Sequence, residues 1–326
     1  VREQTTISDV PPFDEPVFDN RVAFAEELID IAHRDERIVA VCNDSVGSSN
    51  LVKFRAEFPD RVINVGIAEQ NMVGVGAGLA ARGLIPFVCG ASPFLTGRAL
   101  EQIKADIAYS QHNVILCGMS PGMAYGELGP THHSVEDLSW LRALPGLDIV
   151  VPADAEQTRL AVRQAASHPR PTFIRVGRFK VPDVTHGAAK LVRGRFSTVR
   201  DGDDVTVIAT GTMVSRALQA ADVLAAAGVS VRVLDAAYIA PLDIEAITAA
   251  AGATRGIVTA EEASVSGGLG AAVASVVAQL PAPARAPMRI LGVNEFAPTG
   301  STAYLLDHFG LNVDGIVTAV KELLTE

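Results

Sequence analysis

The chain has 326 residues, 48% of them hydrophobic, which suits two domains of ordinary size with real cores. A formal net charge of −10 argues against nucleic acid or an anionic membrane as the main partner, so any phosphate site must be built locally from a few Arg and Lys. Val1–Asn20 is polar and acidic, with Pro11, Pro12 and Pro16, which is no signal peptide. No apolar run reaches membrane-spanning length: Gly267–Leu280 comes nearest and is stopped by Pro281.

In chain order, residues 1–20 read as an extended arm laid over the surface or over a partner. Arg21–His33 has apolar residues at helical spacing after a cap at Asn20. Strand 38–42, a loop through Asn50, a short helix to about Phe58 and strand 61–65 follow. Next come helix 69–82, strand 84–89, helix 97–109 and strand 113–118, then a glycine-rich loop from Met119 to His133. A helix near 134–143, strand 147–151, helix 154–167 and strand 171–176 complete the first half. This alternation predicts a doubly wound parallel sheet. After a linker at Arg178–Gly194 the pattern restarts with strands 204–209, 229–234, 255–260 and 288–292. Helices 213–227, 243–251, 268–280, 301–309 and 312–325 accompany them. The expected fold is α/β, two doubly wound domains with mainly parallel sheets, over residues 1–188 (arm included) and 189–326.

Ligands of open α/β sheets bind beyond the carboxyl ends of strands, which singles out loops 43–53, 66–72, 90–98 and 119–133. In the second of these, Glu69 stands where strand 61–65 gives way to a small-residue helix. An acid in such apolar surroundings either finds a partner or keeps its proton. Complementing the helix dipole is its plainer role. Gly74, Gly76 and Gly78 follow helix onset, so they read as close packing and not as a dinucleotide loop. In loop 119–133, Glu127 and His132 share a glycine-dense segment, a pattern that is either functional or disordered. Adjacent His132 and His133 face opposite ways in most backbones and so have different jobs, with packing the plainer role for such a pair. Cys42, Cys89 and Cys117 each end an apolar run. They read as small buried hydrophobes in a reducing cytoplasm, since no Cys-x-x-Cys supports a metal triad.

The ordered set Gly66-Ile67-Ala68-Glu69-Gln70-Asn71-Met72, Gly90-Ala91-Ser92-Pro93-Phe94, Gly129-Pro130-Thr131-His132, Leu144-Pro145-Gly146-Leu147 and Val151-Pro152-Ala153-Asp154 resembles transketolase. It spans that family's pyrimidine-binding and carboxy-terminal domains. The resemblance implies a thiamine-diphosphate enzyme in which Glu69 bonds the aminopyrimidine ring nitrogen and favours the imino tautomer. It implies that Phe94 stacks on the pyrimidine, where a core aromatic is the alternative. It likewise implies that Ile67 and Gln70 border the cofactor. His132 would face the donor ketose and move a proton or donate hydrogen bonds. Lys53 and Arg178 match family arginines that hold substrate phosphate, although Arg178 also reads as a solvated linker charge.

Three departures stand out. The family's diphosphate- and metal-binding domain, with its Gly-Asp-Gly and later Asn, is missing; Asp201-Gly202-Asp203 reads as a turn before strand 204–209. Leu128 and Ser120 replace an aspartate and a histidine. Gly97 stands where many members keep a second ring-stacking aromatic. The resemblance therefore implies the carboxy-terminal subunit of a split, cytoplasmic transketolase, inactive alone. A partner subunit would supply the diphosphate and Mg2+ (or Ca2+) site in an α2β2 assembly acting on sugars. The rival readings are the beta subunit of a 2-oxo acid dehydrogenase first component and a non-catalytic interaction subunit. Deoxyxylulose phosphate synthase fits less well, being normally one chain. The altered loop leaves room for a branched or sulfonated sugar, and the residues do not rank these against ordinary pentose phosphates.

Overall fold

Ile38–Cys42, Ile85–Ala91, Ile115–Met119 and Thr172–Val176 are nearly unbroken runs of apolar residues, the composition of strands covered on both faces. The computed structural model describes residues 16–187 and 189–325, and builds these four runs into the middle of a seven-stranded sheet. Most of the expected arm, residues 1–15, lies outside the described residues. Sheet order is Tyr238–Ala240, Asp148–Val150, Thr172–Val176, Ile115–Met119, Ile85–Ala91, Ile38–Cys42, Val62–Asn64. All neighbours are parallel except the first pair. Cys42, Cys89 and Cys117 pair in register as one buried row of unlinked thiols across three strands.

The expected helix over 97–109 starts earlier. Ser92–Arg98 is already α-helical, with Pro93 in the first turn, where its missing N–H costs no intrahelical bond. It continues through Leu100–Gln102 into a π-helical segment, Ile103–Tyr109. Phe94 therefore sits on a helix and not in a strand-end loop.

The second half forms a five-stranded sheet in the order Met288–Val293, Ile257–Ser264, Val205–Ala209, Val231–Asp235, Ser197–Arg200. The last strand is antiparallel to its neighbour and the others are parallel. Gly202 packs against the backbone of Val231 and Arg232, where no Cβ fits, so Asp201-Gly202-Asp203 is a turn with a steric role. Two short elements escape the hydrophobic pattern. Val17–Asp19 pairs antiparallel with Lys180–Pro182. Tyr238–Ala240 leaves the second half to extend the first sheet.

The carboxyl edge of the second sheet, where a free-standing domain would bind its ligand, is closed by the first domain. Glu262 accepts a hydrogen bond from the Met123 backbone at 2.6 Å, and Thr302 Oγ1 donates to the Met123 carbonyl at 3.2 Å. Gly300 N donates to Gly126 O at 3.1 Å, and Ser264 N to Val135 O at 2.6 Å. Gly122, at φ +64°, lies so close to the Glu262 carboxylate that no side chain fits there. The second domain thus pins loop 119–133 by its main chain.

Candidate active site

Glu69 is the first residue of helix Glu69–Ala81 and is 5% exposed. Gly66, at φ +73°, turns the chain out of strand Val62–Asn64 ahead of it. The buried acid finds partners. Asn43 Nδ2, from the loop after Ile38–Cys42, donates to Glu69 Oε1 at 2.9 Å. Arg98 Nη1 donates to the same oxygen at 2.9 Å. Among the described residues no donor reaches Oε2, so one oxygen is anchored and the other is left for a ligand. Asn43 is itself fixed, because its Oδ1 accepts from Ser45 Oγ at 2.7 Å and Gly90 leaves it room.

Arg98 and Phe94 stand four residues apart on one helix, with the guanidinium carbon 4.1 Å from the Phe94 ring centroid. The other side of Phe94's surroundings is His132, whose ring lies edge-on at 5.2 Å between centroids and 77° between planes. Thr131 Oγ1 is 3.0 Å from His132 Nδ1. Tyr125 meets His132 edge-on at 6.4 Å, and the Arg178 guanidinium lies 5.1 Å from the Tyr125 ring centroid. One continuous chain of contacts therefore runs Asn43, Glu69, Arg98, Phe94, His132, Tyr125, Arg178. Ile67, 78% exposed, and Gln70 lie on the open rim of the Glu69 turn. Lys53 is exposed in the first turn of helix Val52–Glu57, apart from this chain of contacts.

The two histidines do have different surroundings. His133 is buried, with Nε2 3.3 Å from Gly126 O, and burial pushes its pKa below the ordinary imidazole value. Its place is inside the loop, as packing. Leu128 points outward, while Ser120 is buried at φ +54° with no partner for its hydroxyl among the described residues. Gly97 is explained by Trp140, whose ring fills the space a side chain there would take.

A buried polar hub supports these groups. Asp137 accepts from Ser92 Oγ at 2.8 Å, Ser134 Oγ at 3.0 Å and Arg175 Nε at 3.0 Å. Arg175 Nη2 donates to Ser134 O at 3.0 Å and Glu262 O at 2.9 Å. The hub joins the start of the Phe94 helix, the end of the histidine loop and the second domain. Breaking such a buried pair from one side costs about 3–5 kcal/mol. Sequence reading passed over Arg98, Asn43, Tyr125 and this hub. The spacing of Phe94 and Arg98 was a usable signal, but it was hidden while 90–98 read as loop.

Residues 17–183 match the transketolase pyrimidine-binding domain and residues 194–316 the transketolase C-terminal domain. The chain is 44% identical over 306 residues to a subunit of the apulose-4-phosphate transketolase of Phocaeicola vulgatus, covering 93% of this chain and 97% of that one. It is 39% identical over 304 residues to a 6-deoxy-6-sulfo-D-fructose transketolase subunit of a Clostridium species, covering 93% and 94%. A solved structure described as a split gene transketolase, inactive beta4 tetramer, superposes with a TM-score of 0.86 at 39% identity, covering 94% of this chain and 98% of the other. The chain belongs to the transketolase family, as the pair of domains that forms the carboxy-terminal subunit of its split members.

Proposed function

We propose that the chain acts, with a partner subunit, as a thiamine-diphosphate-dependent transferase that moves a two-carbon ketol unit from a ketose to an aldehyde. The observation that carries this reading is Glu69, buried, anchored through one oxygen and joined through Arg98 to Phe94 and, beyond it, His132. The space between Glu69 and Phe94 accepts a planar hydrogen-bonding group, because the Arg98 guanidinium is one. A pyrimidine ring has that shape and chemistry. When bound, thiamine diphosphate supplies the carbanion-stabilising centre that ketol transfer needs.

The chain's own residues have these roles. Glu69 would hold the ring nitrogen and share a proton with it, while Asn43 keeps its carboxylate in place. Phe94 gives the ring a face, and Ile67 and Gln70 border it. His132, fixed by Thr131 and by its edge contact with Phe94, moves a proton to or from the donor's oxygen. Arg178 and Lys53 attract the anionic end of the sugar, and Tyr125 backs Arg178. The two relatives described above are named for a sugar phosphate and a sulfonated sugar, which supports an anionic donor here. Magnesium or calcium and the diphosphate belong to the partner subunit in this reading. Relatives named as subunits, and one described as an inactive tetramer, support an α2β2 assembly that is silent when either subunit is missing. A cytoplasmic location suits three thiols kept unlinked.

The test is reconstitution. This chain is mixed with the co-purifying subunit, thiamine diphosphate and magnesium, and assayed for ketol transfer from ketose phosphates and sulfonated ketoses. Transfer by the mixture and none by the chain alone is expected. Decarboxylation of a 2-oxo acid with a dye acceptor, without ketose cleavage, would overturn the reading in favour of a dehydrogenase. Full activity after Glu69→Gln would also overturn it.

A further inference from the structure

Arg98 engages both groups that the function proposed above gives to the aminopyrimidine ring: the Glu69 carboxylate, which it meets at Oε1 and not at the free Oε2, and the face of Phe94. Its Nη1 donates to Glu69 at 2.9 Å, and its flat guanidinium lies 4.1 Å from the centre of Phe94. We propose that Arg98 is a placeholder for that ring: it covers Phe94 and holds Glu69 until the cofactor arrives, then swings outward. The proposal rests on the thiamine-diphosphate reading.

Three features of the site favour exchange over coexistence. First, Glu69 does not depend on Arg98 for its position, because Asn43 holds the same oxygen from the opposite loop and is itself braced by Ser45. Second, the two partners differ in freedom: the Glu69 side chain is 5% exposed and that of Arg98 is 51% exposed. A long side chain anchored by its stem can leave into water at little cost, whereas the carboxylate has nowhere to go. Third, a carboxylate shares a proton with a ring nitrogen most readily when no fixed cation competes for its lone pairs. An arginine kept in place would oppose the proton sharing that the reaction uses. The same pair is useful beforehand, since a buried carboxylate with a cation beside it is less costly than one without.

A binding site that spends part of its time closed has its affinity reduced by the open fraction. Removing the placeholder should therefore tighten cofactor binding while loosening the chain itself. The single tryptophan, Trp140, packs on Gly97 next to Arg98, so its fluorescence reports this corner of the site without any turnover.

The experiment compares wild type, Arg98→Met and Arg98→Lys. In the complex with the partner subunit, thiamine diphosphate is titrated and read by equilibrium dialysis and, with the partner subunit's own emission subtracted, by Trp140 fluorescence; melting of the full-length chain on its own is recorded separately. Arg98→Met is expected to bind the cofactor about 5- to 10-fold more tightly and to melt a few degrees lower, with Arg98→Lys between it and wild type. Weaker or unchanged binding in Arg98→Met would overturn the proposal, because Arg98 would then be a lasting cofactor contact or a bystander. Should Arg98→Met fail to fold, Arg98→Lys decides: binding no tighter than wild type overturns it. If the wild-type complex binds no thiamine diphosphate, the functional reading falls and this proposal with it. If wild type binds and only the variants fail to tighten, the functional reading stands and Arg98 alone is misread.

Discussion

Trp140 and Gly97 are a lock and its clearance. A Cβ on Gly97 would come within 2.9 Å of the indole Cζ3 and 3.2 Å of Cη2, closer than carbon atoms pack. A ring from helix Asp137–Arg142 thus takes the space that a side chain at position 97 would need. Gly97→Phe should destabilise the chain by about 1–3 kcal/mol through overpacking, read as a lower denaturant midpoint. The double variant Gly97→Phe, Trp140→Ala should recover part of that loss. Equal midpoints for wild type and Gly97→Phe would show that the indole moves aside freely.

Replacing Glu69 by glutamine keeps the size and the Asn43 contact but removes the shared proton. Ketol transfer by the reconstituted complex should fall by a factor of about 10²–10⁴, the range of a lost acid–base group, while the melting temperature changes little. Retained activity would leave Glu69 only its role of complementing the helix dipole.

The contact chain from His132 through Tyr125 to Arg178 predicts a split in the kinetics. Arg178→Ala should raise KM for an anionic ketose about tenfold and leave kcat for a neutral ketose close to wild type. Tyr125→Leu, which removes the ring under the guanidinium, should shift KM in the same direction by a smaller factor. His132→Asn should instead lower kcat for both donors by about 10²-fold. A neutral donor that suffers as much as the anionic one from Arg178→Ala would remove Arg178 from substrate binding.

Two buried carboxyl groups predict how stability follows pH. Burial raises Asp235 to about 7, and burial raises Glu261 to about 7 despite backbone N–H bonds from Leu269 and Gly270. Both hold protons more tightly folded than unfolded, so their contribution to stability is complete at low pH. It is lost as pH climbs from the ordinary carboxylate range, near 4, to about 7, and is flat above that. Asp235→Asn removes one of the two protons from this balance. Its melting temperature should therefore fall less than that of wild type between pH 5 and pH 8. Parallel curves for the two proteins would mean that Asp235 titrates normally.

Much of this architecture was legible in the residues. Long apolar runs such as Ile85-Pro86-Phe87-Val88 have one good home, a strand covered on both faces, and the strand-to-helix junction at Glu69 followed from two adjacent patterns. The helix holding Phe94 and Arg98 was misplaced because Pro93 and a glycine on either side suggest a loop, although proline is at home in a first turn. Other contacts had no local signature. Asn43 and Glu69 are 26 positions apart, and Met123 and Glu262 are 139 apart. Nothing in the short stretch Tyr238-Ile239-Ala240 says which sheet it will join, because three residues carry too little periodicity to choose.

That strand has a consequence for how the protein can be taken apart. Asp148–Val150 is an inner strand only because Tyr238–Ala240 lies against it. A fragment cut in the linker, however sensible the cut looks along the chain, would carry an unpaired apolar edge, the template on which β-proteins aggregate. The two halves should be expressed, exchanged or fused to other subunits as one piece, with the segment through Pro241 kept beside the sheet it completes.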